Sequence, residues 1–434
     1  MAGENVLGFV NGIAELGSRF FEFIDPLIAY ASQDYLGAFK MQRTANGAVV
    51  FIKEPGYPTI DIGLYSAPKP VDDYMIPFRI TEEDVYSASF AANILEEMFD
   101  ITGGAKAFNR RDAGRGIDNY LFPSFQSIAA AVSAKVVDRL KCYSYLTPID
   151  TVDKLDALSS FSIVNTAASM ASRLSLPTMR AFALNSQDGI QVANSMQNNF
   201  NSTINKNVTN TGWVGNKDKA NLAGMDCFVS NSLGEHIAGP LSYDKYRNSG
   251  VPIPLTISNV SDDGTQITIS GAPANTTKLA FAGDKFSCES VKVFDKLTKR
   301  ETNYKFTFNA VNDAYGDGAG NVRITVQRPL RITGYQRNIN VMPAIGAQVK
   351  VYPDRNLNFI LTRGGLQIVP LMPPDIQGSK NSSAVNSGNK KMSFPVKAYA
   401  HGDQRNLINE YRFTGIMGSL VLSDYVIEVP TAAR

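Results

Sequence analysis

Ile253–Pro273 reads IPLTISNVSDDGTQITISGAP, two alternating β-branched runs either side of an Asp262–Asp263–Gly264 turn. Alternation flanked by turn residues is the signature of a short hairpin. The pattern continues through Lys285–Cys288, Val291–Phe294, Tyr304–Asn309 and Val322–Gln327. Gly271–Ala272–Pro273, Gly283–Asp284 and Gly316–Asp317–Gly318 punctuate it. Short strands at this spacing, with no helical period among them, predict a small all-β barrel or sandwich over residues 240–335. The flanking chain has another character, helical before and strand-rich after. An autonomous β module spliced into one α/β parent is therefore expected.

Outward from the module, the parent can be read in pieces. Met179–Leu184 (MRAFAL) is a buried strand, Asn185–Ser186 caps a helix over Gln187–Asn199, and Ala223–Ser230 is a second strand. Helix, strand, helix predicts an α/β layer. Upstream, Ser124–Cys142 carries Phe125, Ile128, Val132, Val136 and Leu140 on one stripe, a long amphipathic helix starting after Pro123. Thr151–Leu158 and Ser160–Leu174 read as two more helices, and Thr81–Asp84 as the first turn of another. Residues 44–80 differ: Pro55, Pro58, Pro68, Pro70 and Pro77 break up the strands Ala48–Lys53 and Tyr74–Ile80. Each arm of this loop reaches up to roughly 60 Å if extended. Residues 4–31 carry an apolar stripe from Val6 to Ile24 at helical spacing, interrupted at Asp25–Pro26. After the module, Gly346–Tyr352, Asn358–Leu361, Gln367–Val369, Met392–Tyr399 and Leu420–Glu428 read as strands, with a polar loop over 375–391.

Composition narrows the function classes. With 44% apolar residues in 434, the chain has ample material for packed cores. A formal charge of +2 gives no basic field of the kind a nucleic-acid-coating protein needs. Cys142, Cys227 and Cys288 fit no metal-binding or paired pattern and read as reduced structural thiols. Glu4 and Glu15 in the first apolar stretch argue against a secretory signal, and no run approaches a membrane span. His236 and His401 have no second ligand at metal spacing, and there is no nucleophile elbow. Gly316–Gly320 (GDGAG) lacks the Lys and Ser/Thr of a phosphate loop and reads as a turn tip. Arg110, Arg111 and Arg115, with Lys390 and Lys391, read as solvated charge. No catalytic residue, cofactor site or metal site is expected, and the chain does not read as an enzyme.

Several stretches, in order, resemble one family. Met41-Gln42-Arg43 followed by Ala48–Glu54, Phe182-Ala183-Leu184-Asn185-Ser186, and Gly224-Met225-Asp226-Cys227-Phe228 are similar to successive elements of it. Leu279-Ala280-Phe281-Ala282-Gly283-Asp284-Lys285-Phe286 is similar to the Gly-Asp-Lys turn of its insertion domain. Asn356-Leu357-Asn358-Phe359, Gly364-Gly365-Leu366, Pro370-Leu371, Phe394–Tyr399, Gly402-Asp403 and Tyr411-Arg412-Phe413 follow. The ordered set resembles the major capsid (coat) protein of tailed bacteriophages, the Johnson capsid fold. More narrowly it is similar to short-tailed lambdoid Salmonella and Shigella phage coat proteins carrying an insertion domain.

The resemblance implies an α+β fold divided as follows. Residues 1–43 are an N-terminal arm, 44–80 an extended β-hairpin loop, and 81–178 a peripheral domain with a spine helix at about 124–142. Residues 179–239 begin an α/β axial domain, 240–335 form the inserted barrel, and 336–434 complete the parent. It implies a virion protein made in the bacterial host cytoplasm. Its copies would assemble as hexamers and pentamers into an icosahedral shell around double-stranded DNA touched only non-specifically. A scaffolding protein and a portal protein would be partners, and no membrane would be involved. Candidate inter-subunit contacts are Arg43, Lys53, Glu54, Asp61, Arg79, Asp284 and Lys285. Some relatives crosslink through a Lys and an Asn. Lys53 and Lys69 lie in the extended loop, but no matching acid and Asn can be assigned, so no autocatalysis is expected. The alternative is a virion surface or tail protein binding a ligand through the inserted β domain.

Overall fold

The computed structural model describes residues 26–32, 34, 49–54, 74–93, 115–148, 155, 161–177, 179–199, 220–222, 224–242, 254–334, 336–371, 380–384, 396–403 and 408–433. The N-terminal stripe up to Ile24, the loop tip with Asp61, Arg43, Arg110, Arg111, Lys390, Lys391 and most of the expected helix Thr151–Leu158 lie outside the described residues. The chain divides into two compact units. One holds Met1–Val50, Arg79–Val136 and Gln367–Ser419, the other Phe51–Phe78, Val137–Leu366 and Leu420–Arg434.

The first unit is built on a sheet whose central strand is Ile408–Val421. Val85–Asn93 lies antiparallel to it, from Val85 opposite Ile416 to Asn93 opposite Ile408. Val396–Asp403 flanks its other side, and Lys380–Ala384 pairs beyond that. Two sequence expectations change here. The helix starting at Thr81 stops after one 3-10 turn, Glu82–Asp84, and becomes the strand Val85–Asn93. Thr81 N–H donates to Asp84 Oδ2 at 2.8 Å, closing the capping turn. Beyond it, Val85–Asn93 pairs residue by residue along a long partner strand, which outweighs local helix signals. Lys380–Ala384, in the expected polar loop, is likewise an edge strand.

The long helix runs Arg115–Tyr143, so it starts nine residues before the expected Ser124 and carries Pro123 inside it. Its stripe is as expected: Ile128, Val132, Val136 and Leu140 are all buried.

The second unit contains a five-stranded sheet in the order Val426–Glu428, Phe359–Thr362, Arg180–Leu184, Met225–Val229, Ala220–Leu222. Arg180–Leu184 and Met225–Val229 are parallel, joined through the helix Ser186–Asn199, the expected α/β unit. Asn185 caps that helix, its Oδ1 accepting Gln187 N–H at 2.9 Å. Gly189 on the same helix lies so close to the sheet that a Cβ would stand 2.5 Å from Val229 Cγ2. The helix Phe161–Arg173 buries Val164, Ala167, Met170 and Ala171 in the core shared with Phe182 and Leu184.

The β module also belongs to this unit. Thr256–Val260, Gln266–Ser270 and Asn321–Thr325 form one antiparallel sheet. Arg300–Asn309, Lys285–Asp295 and Val349–Val351 form another. The expected pair Lys285–Cys288 and Val291–Phe294 is one strand, with a register shift between Ser287 and Lys292 where Glu289 and Ser290 turn out to solvent. Ile257, Ile267, Ile269, Phe286, Phe306, Phe308, Val322 and Ile324 fill the interior, with Phe286 stacked on Phe308 at 5.3 Å. Val349 N–H donates to Leu255 O at 2.9 Å, so strand pairing in the module closes with a segment read from sequence as parent. Its buried residues are continuous with the core of the five-stranded sheet.

Candidate functional site

Two features carry functional weight: an apolar hairpin and a buried charged junction. The strands Val49–Glu54 and Tyr74–Arg79 pair with each other in a sheet of their own. Strand alternation puts Val50, Ile52 and Phe78 inside and leaves Phe51 63% and Met75 52% exposed. The hairpin thus packs on its own chain through Val50, Ile52 and Phe78, while Phe51 and Met75 point to solvent. A two-stranded ribbon with hydrophobic side chains on both faces is marginal in water. Pro77, exposed on this ribbon, has no N–H to donate to a further strand, which fits an edge position.

The junction lies where the β module meets the rest of the second unit. Glu428, fully buried, accepts from Arg355 Nε at 2.6 Å and from Ser144 Oγ at 3.0 Å, and Lys285 Nζ lies 2.8 Å away. Arg355 Nη2 also donates to Gly283 O at 2.8 Å. Burial alone pushes the Glu428 carboxyl up, but Arg355 and Lys285 outweigh it and hold it at about 2. Burial, with Arg355 beside it, pulls the Lys285 ammonium down despite Glu428.

Next to this lattice, His236 Nε2 donates to Asp284 Oδ1 at 2.8 Å. Asp284 Oδ2 accepts Phe281 N–H at 2.8 Å and Gly239 N–H at 3.0 Å. Burial lowers the His236 pKa, and Arg355 lowers it further. His236 is therefore a neutral, internally bonded histidine and not a base facing solvent. Gly239 is required here: a Cβ would stand 2.7 Å from both Asp284 Oδ2 and Leu279 O. The helix end closes on the same turn, with Asn309 Nδ2 donating to Lys141 O and Ser144 O at 2.7 Å each.

Of the contact candidates, Asp284 and Lys285 are wholly buried and paired within the chain, so they lie in its interior and not on its surface. Arg79 is exposed on the hairpin. Lys53 and Glu54 lie on its other strand. Arg43 and Asp61 are outside the described residues. Sequence reading missed Arg355, Asp424 and Glu428. Glu428 had a signal, a lone carboxylate inside Val426-Ile427-Glu428-Val429. Phe51 had one in its alternation.

Among the described residues no His, Cys, Asp and Glu group is placed to hold a metal, and no helix is long and apolar enough to cross a membrane. The three cysteines form no disulfide and are buried, and burial pushes the Cys142 thiol up to about 11. The Gly316–Gly320 tip is a turn held by Asp317 Oδ1, which accepts Ala319 N–H at 2.8 Å and Asn321 N–H at 2.9 Å.

No family model and no curated protein matches the sequence. Among solved structures the chain is similar to one titled Mycobacterium phage Che8, with 11% identity over 93% of this chain and 90% of that one, at a TM-score of 0.43. It is similar to one titled Mycobacterium phage Ogopogo, with 9% identity over 94% and 92%, at 0.37. A third is the asymmetric unit of bacteriophage PhiM1 mature capsid, with 10% identity over 92% and 85%, at 0.38.

Proposed function

We propose that the chain is a non-enzymatic structural protein, the major capsid subunit of a tailed bacteriophage, whose copies tile an icosahedral shell around DNA. The observation that carries this reading is the hairpin. Its inner face is anchored by Val50, Ile52 and Phe78, and its outer face offers Phe51 and Met75 with nothing of the described chain over them. A neighbouring copy covering that face in each subunit repeats one modest contact around a closed shell, and repetition turns it into large net stability. A formal charge of +2 supports close packing, since copies repel one another little. The ordered resemblance of the sequence to insertion-domain coat proteins supports the finer assignment, with a scaffolding protein guiding assembly and a portal at one vertex. Arg79, Lys53 and Glu54 on the hairpin, with Arg43 and Asp61, are the contact candidates of this reading.

The test is expression of the chain alone and with a phage scaffolding protein, followed by electron microscopy and sedimentation. Closed shells are expected. Soluble monomers at every concentration, salt and scaffold ratio tried would overturn the reading.

A further inference from the structure

Two carboxylates four positions apart, Asp424 and Glu428, lie on one short segment of the parent and reach three cations of the β module. Asp424 Oδ2 accepts from Lys296 Nζ and Arg328 Nη1, while its Oδ1 accepts the Tyr145 hydroxyl at 2.6 Å. Gln336 Oε1 steadies this group, accepting from Arg328 Nη2 at 2.8 Å. Glu428 takes Lys285 of the module together with Arg355 of the parent, and Arg355 in turn donates to the module's Gly283 O. The segment itself is fastened to the parent. Leu422 N–H donates to Gly365 O at 2.8 Å, Glu428 N–H to Leu146 O at 2.9 Å, and Thr431 Oγ1 to Asp188 Oδ2 at 2.6 Å. Val426–Glu428 is also the edge strand of the five-stranded sheet.

Apolar packing crosses the seam at Tyr145 and Phe306, with ring centroids 5.1 Å apart. Beside it the seam is not packed solid. A cavity of about 60 Å³ lies between Leu174–Leu176 and Tyr425 on the parent and Val293–Leu297 on the module, with Asp424 in its wall. Buried ion pairs add little net stability, because desolvation offsets much of the attraction, yet losing one partner is expensive. A joint of this kind fixes position more than it adds strength. The Val349 N–H to Leu255 O hydrogen bond ties the start of the module to the segment that leads back to the parent.

We propose that residues 422–431 are a latch that seats the β module on its parent, with Asp424 and Glu428 as the two catches. Opening the catches loosens the seam while the module and the parent sheet each keep their fold. The proposal is independent of the capsid reading.

The experiment is hydrogen–deuterium exchange of the full chain, comparing wild type with Asp424→Asn and Glu428→Gln. The reporter is the peptide over residues 236–242, where Gly239 N–H bonds Asp284 across the seam at 3.0 Å. Its exchange is expected to accelerate roughly tenfold per catch, the effect of losing one charge-assisted hydrogen bond. Peptides over 266–270 and 321–325 in the module and 180–184 in the parent are expected to keep wild-type rates. Equal acceleration in all peptides, or none at 236–242, would overturn the latch. If Glu428→Gln does not fold, Asp424→Asn decides alone, since the Asp424 side chain is 13% exposed and tolerates an amide better.

Discussion

Replacing Phe51 with Asp tests the assembly reading at its narrowest point. Phe51 is 63% exposed in the single chain, so removing it costs the monomer little. A phenylalanine covers about 200 Å² when fully buried, and the exposed share leaves about 120 Å² for a neighbour to cover. At about 25 cal/mol per Å² that contact contributes about 3 kcal/mol. Each subunit gives one such contact, so the concentration at which shells first form should rise roughly a hundredfold in Phe51→Asp. Phe51→Leu should fall between the two. The assay is the onset concentration of shells by sedimentation at fixed scaffold ratio, with the denaturation midpoint of the single chain measured alongside. An onset within twofold of wild type, with unchanged monomer stability, would refute the argument that this face is covered by another copy.

Asn358→Leu should destabilise the second unit by about 3 kcal/mol in urea denaturation, because Asn358 Oδ1 accepts the buried Asn185 N–H at 2.8 Å and its Nδ2 donates to Asp188 at 2.7 Å. A loss under about 0.5 kcal/mol would show that water replaces those bonds. Gly239→Ala should cost about 1–3 kcal/mol by overpacking against Asp284 and Leu279, read as a lowered melting temperature. Acid sensitivity follows from Glu428, which faces Arg355, Lys285 and Ser144, with His236 and Asp284 beyond. Its folded pKa of about 2 lies below the ordinary 4.5, so its contribution is complete above pH 4.5 and is lost as the pH falls toward 2. In Glu428→Gln that part of the stability–pH curve should flatten, and an unchanged slope would assign acid unfolding to other carboxylates.

What could be read from the chain was whatever local pattern decides. Arg180–Leu184 is apolar on both faces and reads as a central strand, and Asn185 announces the helix after it. Ile267 and Ile269, or Phe306 and Phe308, alternate so cleanly that the module's strands follow from them. The errors came from pairing over long distances. Thr81–Asp84 is a sound helix start, overruled by a strand more than three hundred residues later. Val349–Val351 joins the module only because Phe286–Cys288 lies opposite it. The junction charges were hidden for the same reason. Lys285 in a Gly-Asp-Lys turn looks like a surface residue until Glu428 arrives to meet it, and nothing near Arg355 hints that it will be interior. Phe51 was placed on a strand, but which face stayed bare depended on what the hairpin packed against.

The position of Val426–Glu428 in the chain has a kinetic consequence. Arg180–Leu184, Phe359–Thr362 and Val426–Glu428 complete one sheet from pieces spread over some 250 residues, a topology that closes slowly. Until Glu428 emerges from the ribosome, Lys285 and Arg355 have no counter-charge, and burying them is strongly disfavoured. A nascent chain therefore keeps this core ajar until Val426–Glu428 has been translated.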